Sequence, residues 1–233
     1  MNVLKKYGVA SKDYATLEEA RGETYTTKDN SLPPTRLNCE ENPYQEELTA
    51  AKYILDFGCG VGRNLKWIME NTTATYVGLD PNESMLNNFW GVQQEEYGYD
   101  AAIGWASRVI LVTDFSQIPD EIKFDYVVST FVMQHLGYRY IIQGGMNLTE
   151  ITQNILSRMN NGAIFFAIEH DSEERWIDRW KEENNITLNV FMRSYKGLPE
   201  LTHRDHSAPN GGHHLMIFKY NKPNYDISNN TII

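Results

Sequence analysis

Between residues 52 and 220, short apolar runs alternate with stretches of helical spacing. No other feature of the 233-residue chain limits its fold as much. Lys52–Phe57 (KYILDF) reads as a buried strand that ends in glycines. Gly62–Asn71 then carries Leu65, Ile68 and Met69 on one helical face. Thr75–Asp80 (TYVGLD) reads as a second strand. Pro81 stands at a helix start that Asn82–Phe89 continues. Residues 91–105, rich in Gly and Tyr, fit neither period. Arg108–Thr113, Phe124–Ser129 and Gly162–Ile168 read as the third, fourth and fifth strands. Leu148–Met159 and Ser172–Asn184 read as helices, the second with Trp176 and Trp180 four apart for packing on a sheet. Ile186–Tyr195 and His213–Tyr220 close the pattern. Strands alternating with helices build a parallel sheet. The last two strands have only a loop between them, which suits an antiparallel pair. The expectation is an α/β protein with seven strands, the last reversed.

Around this core the chain is less regular. Residues 1–42 are polar and weakly periodic, and residues 223–233 read as a frayed tail. The expected organisation is an N-terminal arm or cap at 1–42, one domain at 43–222 and a flexible tail. Tyr7, Tyr14 and Tyr25 in the arm are candidates for an apolar lid. With no run of about 18 apolar residues, a transmembrane helix is not expected. The first residues lack the apolar centre of a secretory signal. Cys39 and Cys59 are too few for a disulfide framework, so a cytoplasmic protein is expected. The formal net charge of −10 disfavours a phosphate backbone as partner.

The sharpest local signal is Asp56-Phe57-Gly58-Cys59-Gly60-Val61-Gly62, between the first strand and the first helix. Glycines there let a ligand approach the main chain. Arg63 occupies the place where a dinucleotide fingerprint wants its third glycine. Asp56, just before the glycines, would repel a pyrophosphate. The ligand should therefore carry a cationic or hydroxyl group. Asp80 ends the second strand, where a carboxylate can accept hydrogen bonds from a ribose diol. Asp114 follows the third strand. Three acids and a glycine loop on one sheet edge suggest a nucleoside.

ILDFGCGVGRN, YVGLDPNESML, VTDFSQIP and FDYVVSTFVMQHL, in that order, resemble the successive motifs of the class I S-adenosylmethionine-dependent methyltransferases. The resemblance runs over about residues 52–220. It implies a Rossmann-like sheet of order 3-2-1-4-5-7-6 with strand seven antiparallel, and S-adenosyl-L-methionine as cofactor. It also implies that Gly58, Gly60 and Gly62 lie under the methionine and ribose. Asp80 would hold the ribose hydroxyls, and Asp114 would contact the adenine amino group with Phe115 beside the ring. Asp56 would lie near the methionine amino group, and Ser129 and Thr130 would line the sulfonium side.

Methyl transfer needs in-line approach and exclusion of water, and a base only where the acceptor loses a proton. His135 after the fourth strand, and Glu169 and His170 after the fifth, are the catalytic candidates. His203, Arg204 and His206, in the loop after the sixth strand, are candidates for binding an acidic or hydroxylated acceptor. No metal site is expected: the histidine spacings match no common zinc signature, and His213 and His214 point to opposite faces of a strand. Cys59 reads as a packing residue. The function expected is methylation of a small molecule, on oxygen before nitrogen or carbon. Ser129-Thr130-Phe131-Val132 stands where amino-methylating nucleic-acid enzymes carry Asn/Asp-Pro-Pro-Tyr/Phe. The alternatives are a donor-binding subunit without turnover, or a protein, glycan or nucleic acid as acceptor. A nicotinamide oxidoreductase is disfavoured by Asp56 and Arg63. The sequence leaves the oligomeric state open.

Overall fold

The computed structural model describes residues 16–17, 37–136, 148–170, 175–195, 213–222, 225–226 and 231–232. Seven strands form one sheet: β1 (Tyr53–Phe57), β2 (Thr75–Leu79), β3 (Val109–Val112), β4 (Phe124–Thr130), β5 (Met159–His170), β6 (Val190–Tyr195) and β7 (His213–Lys219). Their order is β3-β2-β1-β4-β5-β7-β6. The strands β1 to β5 pair in parallel, while β7 runs antiparallel to both β5 and β6. The expected seven-stranded, Rossmann-like arrangement is borne out. The order reverses direction between β1 and β4, so the carboxyl ends of these two strands flank the crevice where such sheets bind ligands.

The helices are α1 (Gln45–Ala50), α2 (Leu65–Asn71), α3 (Glu83–Tyr97), α4 (Tyr99–Ala106), α5 (Met133–Leu136), α6 (Leu148–Ser157) and α7 (Arg175–Asn184). The ambiguous stretch 91–105 is helical, divided at Gly98, whose φ of +89° suits glycine. Its period was obscured because the buried face of α3 consists of Met85, Phe89, Val92 and the polar Gln93. That helix begins at Glu83, two residues beyond Pro81: the side chain of Asn82 accepts the Ser84 N–H at 3.0 Å and caps it.

Two apolar clusters bury the sheet faces. One holds Leu55, Val77, Val127, Phe165, Trp180 and Phe218; the other Ile54, Tyr76, Phe89, Tyr126, Phe166 and Ile217. The alternation of neighbours such as Ile54 and Leu55 between clusters is the period of two that a strand imposes. Trp180 of α7 packs on the sheet as expected. Its ring centroid lies 6.0 Å from both Phe165 and Phe218, and its Nε1 donates to Thr152 Oγ1 at 2.8 Å. The side chain of Trp176 lies outside the described residues. Leu37 reaches the second cluster, and Asn42 Nδ2 donates to the Tyr126 hydroxyl at 2.9 Å.

β5 is longer than its sequence pattern suggests. Its start pairs Met159 with Phe124 across a bulge. Its end is extended by pairing Glu169 with His214 and His170 with His213. Among the described residues, no helix is long and apolar enough to cross a membrane.

Candidate active site

Parallel pairing brings the carboxyl ends of β3, β2, β1 and β4 to one edge, and the acids expected there lie on it. Leaving β1, the chain turns through three glycines with positive φ: Gly58 at +72°, Gly60 at +53° and Gly62 at +89°. Gly58 N–H and Cys59 N–H both donate to the Leu79 carbonyl, at 2.7 and 3.2 Å. The absent side chains matter in two ways. A Cβ on Gly62 would come within 2.5 Å of the Phe89 ring, so this glycine lets α3 pack on the loop. A Cβ on Gly58 would come within 2.2 Å of Val132 Cγ2, so this glycine lets the turn after β4 close against the loop.

Asp80 stands half-buried at the end of β2. Its Oδ2 accepts the Gly60 N–H and its Oδ1 the Asn82 N–H, both at 2.9 Å. The carboxylate thus joins the glycine loop to the start of α3. Burial pushes its pKa up to about 6, against these two backbone donors.

Asp56 lies deeper. The Tyr76 hydroxyl donates to its Oδ2 at 2.7 Å, and Asn64 Nδ2 donates to Oδ1 at 3.2 Å. Burial raises its pKa to about 6, while Tyr76, Asn64 and Arg63 pull it back. Burial also pushes the Cys59 thiol up, with Asp80 and Asp56 adding to it. A thiol held protonated is a poor nucleophile, which agrees with a packing role.

Asp114 caps a single 3₁₀ turn at Phe115–Gln117. Its Oδ1 accepts the Ser116 N–H at 2.8 Å, and Gln117 Oε1 accepts the Asp114 N–H at 3.1 Å. Phe115 stacks on Phe57 with ring centroids 6.1 Å apart. Ser129 is buried and Thr130 half-buried at the end of β4. The phenyl ring of Phe131 lies under the Arg63 guanidinium, 5.3 Å away.

Glu169 differs from the rim acid expected of it. It has no exposed surface, and its Oε1 accepts the N–H groups of Val132 and Met133 at 3.2 and 3.0 Å. The backbone places His135 in α5 and His170 at the end of β5, while both side chains lie outside the described residues. His203, Arg204 and His206 also lie outside them, as do Tyr7, Tyr14 and Tyr25. Among the described residues no three His, Cys, Asp or Glu side chains are grouped to hold a metal ion.

The sequence reading missed four contributors. Tyr76 and Asn64 hold Asp56. Gln93 Nε2 donates to the Val61 carbonyl at 2.6 Å and so ties α3 to the glycine loop. Leu17 packs on Val61, Met85 and Val92 beside that loop. Tyr76 and Asn64 lie 20 and eight positions from Asp56. Only the glycine turn and the β1–β2 pairing bring these three together, so no local pattern marks them.

Residues 55–165 match the sequence profile of a family described as a methyltransferase domain. An uncharacterised protein of Haemophilus influenzae is 25% identical over 167 residues, which are 62% of this chain and 60% of that protein. The match therefore spans about three fifths of that relative's length. Among solved structures, the N-methyltransferase NodS of Bradyrhizobium japonicum WM9, in complex with S-adenosyl-L-homocysteine, aligns with a TM-score of 0.51. It is 14% identical, over 87% of this chain and 97% of its own. A SAM dependent methyltransferase of Aquifex aeolicus aligns with a TM-score of 0.51 at 13% identity, over 88% and 98%. These structural likenesses bear on the fold. The sheet order, the glycine loop and the profile match over residues 55–165 agree with one another, and together they support a class I S-adenosylmethionine-dependent methyltransferase.

Proposed function

We propose that this chain methylates an oxygen atom of a small molecule, binding S-adenosylmethionine along the edge from Asp114 to Ser129. One observation carries the donor site. Each Asp80 oxygen accepts one backbone N–H, at a half-buried strand end. An ionised carboxylate has about four acceptor positions, so a vicinal diol can add one bond to each oxygen. The residues present fit the group.

When bound, S-adenosylmethionine supplies a methyl carbon on a sulfonium, which is already electrophilic. The chain's own part is to bind, orient and exclude water. Asp80 orients the ribose. Asp114 and Phe115 receive the adenine, Phe115 from its seat on Phe57. The backbone of Gly58, Gly60 and Gly62 allows close approach. Asp56, braced by Tyr76 and Asn64, attracts the methionine ammonium. Ser129 and Thr130 face the sulfur end. His135 and His170 are the candidates to take a proton from a hydroxyl acceptor. His203, Arg204 and His206 are the candidates to hold that acceptor. Residues 1–42 act as an arm ahead of the domain at 43–222, with 223–233 as a tail. The contact of Leu17 with Val61 supports an arm that reaches the donor loop.

The net charge of −10 supports a small acceptor over nucleic acid, and the sequence after β4 supports oxygen over an exocyclic base amine. The first test is calorimetric titration with S-adenosylhomocysteine, with NAD as comparison. Micromolar binding of the first alone is expected. Binding of neither, or of NAD alone, overturns the donor site. Transfer of a labelled methyl group to hydroxylated and to amine acceptors in parallel then decides the atom. Transfer only to amines overturns the oxygen assignment, and donor binding without transfer to any acceptor leaves a donor-binding subunit.

A further inference from the structure

The turn after β4 adopts a conformation that a bulky residue avoids. Phe131 has a φ of +60°. Such a residue persists only where its surroundings over-determine it. Here they do. Phe131 N–H donates to the Ile168 carbonyl at 2.7 Å, and the Arg63 guanidinium covers its ring. The next two amides, Val132 and Met133, both donate to Glu169 Oε1. The same Oε1 accepts the Ser129 hydroxyl at 3.4 Å, and the carboxylate, with no exposed surface, is thus turned to its protein donors rather than offered to solvent.

This turn carries Val132, whose methyl groups fill the space directly over Gly58. The strand β4 flanks β1 on the side away from β2. A donor with its adenine toward Asp114 and its ribose at Asp80 extends across β1, so its sulfur end reaches the Gly58–Val132 contact.

We propose that Glu169 is a positioning residue. Its Oε1 holds the turn at 131–133 and thereby sets the wall that Val132 forms at the sulfur end of the donor pocket. The inference rests on the donor site proposed above. It assigns Glu169 a different task from the general base expected of it: the task needs an acceptor oxygen and no proton transfer. A side-chain amide carbonyl can perform it.

The test compares Glu169→Ala, Glu169→Gln and Val132→Ala with the wild type in two measurements. One is exchange of the Val132 and Met133 amides in the ligand-free protein, followed by NMR. The other is calorimetric affinity for S-adenosylhomocysteine and for adenosine, which lacks the homocysteine arm. Glu169→Ala is expected to lose protection at both amides and about tenfold in S-adenosylhomocysteine affinity, while adenosine binding stays within about twofold. Glu169→Gln is expected to restore both readouts to within about threefold. Val132→Ala keeps Glu169 intact and should weaken S-adenosylhomocysteine alone, so it tests the wall even where Glu169→Ala fails to fold.

Three results overturn the proposal. One is full amide protection in Glu169→Ala. Another is unchanged S-adenosylhomocysteine affinity in Val132→Ala. The third is normal binding in both Glu169 variants with methyl transfer lost equally in both, the mark of a general base. If the wild type binds neither compound, the donor site itself has failed, and amide exchange alone still judges whether Glu169 holds the turn.

Discussion

The carboxyl ends of β1 and β2 and those of β4 and β5 lie on one sheet edge but use their polar groups in opposite ways. At β1 and β2, glycines remove side chains so that backbone comes close to the crevice, and Asp80 stays half-buried with acceptor capacity to add. At β4 and β5, a full-sized Phe131 takes up the positive φ, and Glu169 is wholly buried to hold the amides that follow. The first region leaves its backbone clear of side chains, as the proposed donor site requires. The second fixes backbone so that a side chain can serve as a wall. A carboxylate near an active-site edge is thus not by itself a catalytic group; its exposure and its existing partners decide.

The largest expected effect comes from forcing the two regions apart. In Gly58→Ala the new Cβ meets Val132 at 2.2 Å in a left-handed conformation. Strain and overpacking together should cost roughly 2–5 kcal/mol of stability in urea unfolding. Gly98→Ala supplies the contrast: its φ is +89° but nothing lies within 4 Å. With ψ of 158° it lies in a region side chains avoid, and it should lose only about 1–3 kcal/mol. Equal losses would show that conformation, and not the Val132 contact, makes Gly58 necessary.

Next in size is the carboxylate proposed to bind the ribose. Asp80→Ala should weaken S-adenosylhomocysteine binding by about 1.5–3 kcal/mol, through loss of hydrogen bonds to a charged group. An unchanged calorimetric affinity would remove Asp80 from the donor site.

The smallest effect is in pH, and it has two signs. Asp56 and Asp80 titrate near 6 in the folded chain against an ordinary 3.8. Between these values the native state retains protons that the unfolded chain has released. The stability these groups contribute is therefore full below about 3.8 and is lost as pH rises through about 6. Donor affinity should run the other way, because an ionised Asp80 is the better acceptor for a diol. It should be about tenfold weaker at pH 5 than at pH 7.5. Urea unfolding and calorimetry across that interval check the two slopes, and for adenosine, which lacks the ammonium that Asp56 attracts, the affinity slope should vanish in Asp80→Asn. In Tyr76→Phe, Asp56 loses a hydrogen bond that favours its ionised form, so the fall in stability should extend to higher pH.

The arrangement was legible in the sequence where one local rule dominated. Apolar runs such as YILDF and FDYVVST, buried on both faces, have no competing reading once glycines and helical spacing bound them. The loop at 58–62 declares its positive φ values through residue type. Residues 91–105 were illegible because Gln93 faces inward, where it ties α3 to the Val61 carbonyl. A local period contains no signal for a polar group satisfied by a distant backbone.

The sequence alone therefore determined the strand succession and the acids at the strand ends, because these follow from side-chain period and residue type, while the sheet order that opens the crevice between β1 and β4 was implied only by the family resemblance. Tertiary structure decided what each acid does. Asp56 is braced by Tyr76 and Asn64, Asp80 bridges Gly60 and Asn82, Asp114 caps Ser116 and Glu169 holds the turn after β4. All are carboxylates at strand ends in the one-dimensional reading. Their burial and partners, which set their charge and their free capacity to bond, come from segments up to 40 positions away.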